Sequence, residues 1–253
     1  MNIAVITGAS SGLGVKFLEA VMKRYPSLDE YWIIARRKDR LEELAGKYPD
    51  KHIVPVDADL GDEANYGKIR EKLETEKPTV KVVINNAGFE RTGKYVDMKD
   101  SDILNMISVN VKGTSMVSKI FLPYMTKGSF MVITCSVSSF VPVPKQTVYS
   151  ASKKYVYYFG KALREEVKAD GINILLLCPG NMDTEMNPKG QGSQSKTVDS
   201  LPFLDMEKLT AKALIKAEQG KAVYTPGGFY KFYCVAAKAI PSAWMLKIVG
   251  KSY

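Results

Sequence analysis

The chain has 253 residues, of which 45% are hydrophobic and 25% charged, and this composition fits one globular α/β domain. The net charge of +9 comes largely from basic residues that alternate with acids, as over 38–43, so we do not expect a nucleic-acid partner. His52 is the only histidine, which excludes a histidine-built metal site, and we expect no bound metal.

Cysteine content and hydropathy bear on the cellular compartment. Cys135, Cys178 and Cys234 are widely spaced without a Cys-x-x-Cys pair, so we expect no disulfide framework and favour a cytoplasmic location. No signal peptide is evident, because the chain enters an apolar strand almost at once. No uninterrupted apolar run reaches the length that spans a bilayer.

Seven short apolar segments predict strands, and they alternate with longer amphipathic stretches. The predicted strands are 3–7, 31–35, 53–56, 81–85, 130–134, 172–177 and 222–225. The predicted helices are 13–24, 41–47, 66–76, 101–124, 149–168 and 206–219. This alternation predicts a single α/β domain with a doubly wound parallel sheet of about seven strands, covered by helices on both faces. Pro55 is unexpected inside a strand, since proline lacks the N–H donor.

The domain divides into three predicted parts. Residues 1–184 form a cofactor-binding and catalytic core, 185–204 a loop, and 205–253 the last helix and strand with a basic amphipathic tail. The loop is rich in Gly, Ser, Gln and Lys and follows the carboxyl end of the sixth strand, where such sheets bind ligands. We therefore favour a substrate lid over a passive surface loop.

The tail differs in charge from the rest of the chain, because five lysines and no acid follow Glu218. A basic amphipathic segment can lie on an anionic membrane, so peripheral membrane contact through the tail is one interpretation. Packing against a neighbouring subunit or over a substrate cleft is the interpretation that we favour.

A glycine-rich loop directly follows the first strand and opens a helix. Its candidate ligand-binding residues are Gly8, Ser10, Ser11, Gly12, Leu13 and Gly14. Glycines permit positive φ and close approach of a ligand, and the helix amino end offers free N–H groups. The loop therefore favours a bound pyrophosphate, although a plain tight turn would use the same residues.

The end of the second strand bears on the choice of cofactor. An NAD site usually places an acid there, about 20 residues after the loop, to bind the ribose 2′-hydroxyl. This strand ends at Ala35 and is followed by Arg36 and Arg37, which could grip a 2′-phosphate. We therefore favour NADP(H) over NAD(H), the alternative being that both arginines merely face solvent.

Candidate catalytic groups lie around the fifth strand and the helix after it. Tyr149 and Lys153 are four residues apart and share one helix face. An ammonium favours the phenolate form of a nearby tyrosine, whose usual pKa is about 10, so the pair could exchange a proton with a substrate. Ser136 ends the fifth strand and could orient the reacting oxygen. A chance Tyr-x-x-x-Lys spacing and serines that stabilise a turn are the alternatives.

Taken in order, these motifs resemble the classical, NADP(H)-preferring short-chain dehydrogenase/reductase family. The motifs that carry the resemblance are Thr-Gly-x-x-x-Gly-x-Gly over 7–14, Asp59-Leu60, Asn-Asn-Ala-Gly over 85–88, Asn110, Ser136, Tyr-x-x-x-Lys over 149–153, and Pro179-Gly180 with Thr184. Cys135 stands where the family commonly has a serine, and the glycine loop lacks the basic residue of many NADP members. The resemblance covers the chain to about Thr184 and implies a Rossmann-type fold and a dimer or tetramer.

The resemblance also implies roles for individual residues. Tyr149 would be the general acid/base, Lys153 its ammonium partner, Ser136 the group that orients the carbonyl, and Asn110 the holder of a water in a proton relay. The implied cofactor-binding residues outside the glycine loop are Arg36, Arg37, Asp59, Leu60, Asn86, Ala87, Gly88, Tyr149, Lys153, Pro179, Gly180, Met182 and Thr184.

The expected substrate is a small hydrophobic ketone or secondary alcohol. Ser136, Ser138, Val143, Tyr149 and Asn181 would line its pocket. A steroid or bile acid is the favoured class, and a 3-oxoacyl group is the alternative. A hypothesis of another class is a sensor or scaffold that binds NADP(H) without turnover.

Overall fold

The computed structural model of the chain describes residues 1–185 and 201–250. Its centre is a seven-stranded sheet in the order β3-β2-β1-β4-β5-β6-β7, in which every pairing is parallel. The strands are β1 Asn2–Thr7, β2 Glu30–Ala35, β3 Ile53–Asp57, β4 Thr79–Asn85, β5 Met125–Thr134, β6 Asn173–Leu177 and β7 Val223–Tyr224. The predicted doubly wound α/β fold is confirmed.

Helices cover both faces of the sheet. They are α1 Gly12–Arg24, α2 Lys38–Gly46, α3 Ala64–Glu76, α4 Asp100–Met106, α5 Thr114–Phe121, α6 Thr147–Val167, α7 Met206–Glu218, α8 Gly228–Ala239 and α9 Ser242–Gly250. Helices α3, α5 and α6 bury one apolar cluster against the sheet, and α1, α2 and α7 bury the other. Strands between two such layers have apolar residues on both sides, which explains their continuous apolar sequence.

The long helix predicted over 101–124 is divided in the structure. A π-helical stretch, Ile107–Gly113, separates α4 from α5, and α5 ends at Phe121 before a single turn that contains Pro123. Such stretches insert a residue into the helical ladder and are frequent at functional sites. Residue spacing alone does not reveal the extra residue, so the sequence predicted one continuous helix.

The position of β3 explains Pro55. This strand lies at the edge of the sheet and pairs only with β2, with Pro55 opposite Ile33. An edge strand leaves one side of its backbone unpaired, so the missing N–H of a proline is tolerated there.

The strand order reverses between β1 and β4, and Thr7 ties the ends of these two strands together. Its hydroxyl accepts hydrogen bonds from the backbone N–H groups of Asn86 at 2.9 Å and Ala87 at 3.0 Å, and donates to the carbonyl of Ile84 at 3.3 Å. The glycine loop after β1 and the Asn-Asn-Ala-Gly turn after β4 are thereby held side by side. Ligands of doubly wound sheets bind at this crevice.

Most of the predicted lid over 185–204 lies outside the described residues, since the structure describes only 185 and 201–204 of it. Among the described residues, no helix is long and apolar enough to cross a membrane.

Helix α6 packs unusually close to the sheet at Gly160, and this contact generates a stability prediction. A Cβ at Gly160 would lie 2.3 Å from Leu176 Cδ2, whereas a Cβ at Gly67 in α3 would meet nothing within 4 Å. We expect Gly160→Ala to lower the free energy of unfolding by about 1–3 kcal/mol through overpacking. Gly67→Ala, the matched control, should raise it by about 1 kcal/mol through helix propensity. Urea unfolding measures both, and equal stability of the two variants would contradict the close packing.

Candidate active site

A cleft of about 820 Å³ opens at the carboxyl edge of the sheet. It is lined by residues from the glycine loop, the end of β2, the turn after β4, the end of β5, the start of α6, the turn after β6 and the start of α8. All the predicted cofactor- and substrate-binding residues line it except Gly14, and of the four predicted catalytic residues only Asn110 lies behind its wall. The structure therefore brings together predicted site residues that are up to 176 residues apart in the sequence, from Gly8 to Thr184.

The glycine loop is shaped by close packing of its own backbone. Gly8 and Gly12 have φ of 66° and 53°, a left-handed conformation that side chains disfavour. A Cβ at Gly14 would lie 2.1 Å from the carbonyl oxygen of Gly8, so Gly14 packs against the backbone of the loop and does not line the cleft. Ser11 precedes α1 without a capping hydrogen bond from its side chain, which leaves the first N–H groups of the helix available to an anion.

Arginine side chains line the cleft beside this loop. The Arg37 guanidinium donates to the hydroxyls of Ser10 at 3.0 Å and Ser11 at 2.9 Å, and it pairs with Glu185 at 3.0 Å. Arg36 is exposed at the cleft rim, and Arg40 pairs with Glu185 from outside the cleft. Hydrogen bonds from Arg40 and Arg37 lower the pKa of the Glu185 carboxyl. At the end of β2, the cleft is therefore lined by arginine side chains and not by the acidic residue that an NAD site usually has there.

Tyr149 and Lys153 lie on the cleft-facing side of the first turns of α6. The Lys153 ammonium donates to the carbonyl of Thr134 at 3.0 Å and lies 5.7 Å from the centre of the Tyr149 ring. Both residues are buried: 5% of the Lys153 surface and 9% of the Tyr149 surface are exposed. Burial lowers the pKa of Lys153, because a charged amine loses its hydration there. A phenol, an ammonium and the end of β5 are therefore fixed within one small volume.

Ser136 stands where β5 leaves the sheet and begins a short turn. Its hydroxyl accepts from the backbone N–H of Ser138 at 3.1 Å, which is the turn-stabilising role that the sequence offered as the alternative. The same side chain lines the cleft together with Tyr149. The hydroxyl hydrogen remains available to a ligand, since the contact with Ser138 uses only an acceptor site.

Asn110 occupies the middle of the π-helical stretch and holds the turn after β4. Its side chain accepts from Phe89 N–H at 2.8 Å and donates to Phe89 O at 2.9 Å and Ser152 Oγ at 3.0 Å. A Cβ at Gly88 would lie 3.4 Å from both Asn110 Oδ1 and Lys153 Nζ, so the turn passes directly between these groups. The side chain therefore clamps the turn, and its holding of a water stays a prediction.

Several cleft residues were not predicted from the sequence. Tyr230 of α8 packs its ring against Gly180, where a Cβ would lie 2.1 Å from Cζ, and its hydroxyl accepts from Asn181 N–H at 3.1 Å. The same hydroxyl donates to Pro202 O at 2.7 Å. Glu90 and Gln146 form a polar part of the wall, and Phe229 and Tyr233 an apolar part. For the three aromatic residues, the only sequence signal was the amphipathic tail, which was expected to pack on a subunit or over a substrate cleft. The sequence analysis did not single out Glu90 or Gln146.

The described residues contain no group of three or more His, Cys, Asp or Glu side chains that could hold a metal ion. Cys135, Cys178 and Cys234 are buried free thiols. Burial strongly raises the pKa of Cys178, which favours its protonated form.

Comparison with known proteins agrees with this arrangement. A family model described as short chain dehydrogenase matches residues 2–194. An uncharacterized oxidoreductase of Staphylococcus epidermidis is 28% identical over 206 residues, which are 81% of this chain and 88% of that protein. The very-long-chain 3-oxoacyl-CoA reductase of Anas platyrhynchos is 31% identical over 203 residues, which are 76% of this chain but only 64% of that protein.

A solved structure has the same fold. The short-chain dehydrogenase from Sphingobium yanoikuyae in complex with NADPH is 24% identical, with a TM-score of 0.78 over 97% of this chain and 95% of that one. The family match spans the glycine loop, the turn after β4, the Tyr149–Lys153 pair and the turn after β6. With 31% identity to a curated relative and a family model over most of its length, the chain belongs to the short-chain dehydrogenase family.

Proposed function

We propose that the protein is an NADP(H)-dependent oxidoreductase that reduces a ketone to a secondary alcohol, or runs the reverse oxidation. The observation that carries this proposal is the buried Lys153 ammonium, held by Thr134 O beside the Tyr149 ring at the floor of the cleft. A buried ammonium favours a negative charge nearby, so Tyr149 is the group best placed to release or accept a proton.

In this proposal the side chains divide the work on the substrate oxygen. Tyr149 donates its phenolic proton to the carbonyl oxygen, and Ser136 donates a hydrogen bond that fixes the same oxygen. Lys153 stabilises the resulting phenolate, while Asn110 keeps the turn after β4 in place behind it. The nicotinamide cofactor supplies or accepts the hydride when it is bound.

The residues around the cleft fit a phosphorylated dinucleotide. The backbone of Gly8 to Gly14 and the free amino end of α1 suit a pyrophosphate, and Asp59, Leu60 and the 86–88 turn would line the adenosine and ribose path. Arg36 and Arg37 would bind a 2′-phosphate, which would replace the Glu185 carboxylate as the partner of Arg37. Thr184 and the backbone at Met182 would hold the carboxamide, and Pro179 and Gly180 line the cleft beside them.

The substrate portion of the cleft favours a hydrophobic compound. Val143, Phe229 and Tyr233 give it an apolar wall, with Ser138 and Asn181 as polar contacts. We favour a steroid or bile acid, and a 3-oxoacyl group is the alternative, supported by the 3-oxoacyl-CoA reductase relative. The competing hypothesis is an NADP(H)-binding sensor or scaffold. Such a protein would bind NADPH but would not oxidise it in the presence of any ketone.

We also propose a cytoplasmic dimer or tetramer whose tail can contact a membrane. Helix α8 lines the cleft with Phe229 and Tyr233, so the tail covers part of the substrate site. Its outer side exposes Phe232, and α9 exposes Trp244, with 73% and 69% of their surface accessible. Exposed aromatics among lysines suit either a second subunit or the headgroup layer of an anionic membrane.

The first prediction concerns Tyr149. Tyr149→Phe removes the proton that the substrate oxygen needs, so kcat for ketone reduction should fall by at least about 100-fold. NADPH should bind to the variant with unchanged affinity in a fluorescence titration, because the ring remains in place. Retention of full turnover by Tyr149→Phe would contradict the mechanism.

The second prediction concerns the arginines. We expect wild-type protein to bind NADPH more tightly than NADH, and Arg36→Ala with Arg37→Ala to reduce this preference by about tenfold or more, since each removed charge-assisted hydrogen bond weakens phosphate binding. Lys38→Ala removes an exposed neighbouring charge outside the cleft and is the matched control. Equal affinities for the two cofactors in the wild type would refute NADP(H) preference.

The third prediction concerns the tail. If the tail contacts an anionic membrane, the protein should co-sediment with vesicles that contain phosphatidylserine more than with phosphatidylcholine vesicles. The double variant Phe232→Ala/Trp244→Ala should bind about tenfold more weakly, because two apolar side chains no longer enter the interface. Tyr95→Ala removes another exposed aromatic side chain, which is not part of the tail sequence, and should change nothing. If the wild-type protein does not co-sediment with anionic vesicles, the membrane contact is refuted.

A further inference from the structure

We propose that Glu90 forms a second polar subsite in the cleft, which accepts a hydrogen bond from a hydroxyl group of the substrate close to the reacting carbonyl. The inference rests on the proposed function, because it takes the carbonyl to lie against Tyr149. It narrows the substrate class from a hydrophobic ketone to a hydroxylated one.

A chain of hydrogen bonds connects Glu90 to Ser136. Gln146 Nε2 donates to Glu90 Oε1 at 2.8 Å, and Ser138 Oγ donates to Gln146 Oε1 at 3.1 Å. Ser138 N–H in turn donates to Ser136 Oγ at 3.1 Å. All four side chains line the cleft, so a polar strip runs along an otherwise apolar wall and starts at the serine that faces the reacting oxygen.

The strip leaves one acceptor atom of Glu90 for a ligand. Gln146 is only 8% exposed, and its amide is fixed in orientation because one end accepts and the other donates. Glu90 Oε1 is therefore occupied, whereas Oε2 has no hydrogen bond within the part of the chain that the structure describes. Since Glu90 is half-buried in the cleft wall, its second oxygen can meet a donor on a bound substrate.

The charges around Glu90 favour a neutral donor. Burial raises the pKa of the Glu90 carboxyl to about 7, and the Lys153 ammonium partly opposes this rise. Other titratable or charged side chains on the neighbouring elements are Tyr149 on α6, Cys135 after β5, Lys145 before α6 and Arg91 on the same turn, which pairs with Asp102 at 3.6 Å. Because one ammonium already acts on the carboxyl, a hydroxyl suits the site better than a second cation.

Glu90 also lies near the groups that act on the carbonyl. It follows Gly88 by two residues, and a Cβ at Gly88 would lie 3.4 Å from Lys153 Nζ, which itself lies 5.7 Å from the centre of the Tyr149 ring. The donor should therefore be attached a few bonds from the reacting carbonyl and not at the far end of a long substrate.

A purely structural role for Glu90 makes a different prediction. The turn after β4 is already tied to the segment before α6 by the bond from Gly93 N–H to Lys145 O at 2.8 Å. If Glu90 only reinforced this connection, its loss would reduce the turnover of every ketone to the same degree. A subsite for a hydroxyl instead changes the ratio between substrates.

The experiment compares decalone with decalones that carry one hydroxyl group at different ring positions. We expect at least one isomer with the hydroxyl near the carbonyl to be preferred in kcat/KM by about tenfold in the wild type. The preference should increase from pH 6 to pH 8, because ionised Glu90 is the stronger acceptor, while effects of pH on Tyr149 and Lys153 cancel in the ratio.

Two substitutions then assign the preference to Glu90. Glu90→Gln keeps an oxygen for Gln146 and should lower the preference several-fold and make it independent of pH. Glu90→Leu should abolish the preference. Glu165→Gln makes the same carboxyl-to-amide change on the exposed side of α6 and should leave the preference as in the wild type.

Binding measurements separate this inference from the proposed function. Calorimetry of the same compounds with the Tyr149→Phe variant reports the preference without turnover. If no ketone is reduced but the hydroxylated isomer still binds preferentially through Glu90, the proposed function fails and the subsite stands. If ketones are reduced but no isomer is preferred, or Glu90→Leu affects all compounds equally, the subsite is overturned.

Discussion

Burial of the Lys153 ammonium is the constraint on which the rest of the site depends. A charge removed from water is costly unless fixed dipoles and a compensating negative group replace its hydration. The carbonyl of Thr134 is one such dipole, and it is available because β5 ends there. The closeness of α6 to the sheet, which Gly160 permits, brings Lys153 to that carbonyl and fixes Tyr149 one turn before it. Sheet packing and the proposed proton chemistry thus depend on the same helix.

The sequence predicted the parts of the fold that depend on local pattern. Apolar runs identified the seven strands. The glycine loop was recognisable because its glycines meet local steric demands: Gly8 and Gly12 have positive φ, and a Cβ at Gly14 would collide with the Gly8 carbonyl. The Tyr149–Lys153 spacing was visible for the same reason, since four residues make one helical turn.

What the sequence did not predict depends on contacts between distant segments. Glu90 and Gln146 are 56 residues apart, and Tyr230 meets Gly180 because α8 packs against the turn after β6. The division of the helix at Asn110 was also hidden, because one inserted residue barely changes the apolar periodicity. Pro55 was noticed but could not be explained before the strand order placed β3 at the edge.

The hydroxyl of Tyr230 has a further consequence for how this cleft can diversify. It bonds to the chain at Asn181 and at Pro202, and Leu204 N–H donates to Asn181 O at 2.9 Å, so the positions that flank residues 182–201 are neighbours in space. A chain that leaves and returns at one point can change in length at small entropic cost, about 0.6 kcal/mol for each doubling. Beyond the cleft residues Met182 and Thr184, the interval between these anchors is therefore a natural place for insertion or exchange, where new specificity can be acquired while the proposed proton-transfer centre stays fixed.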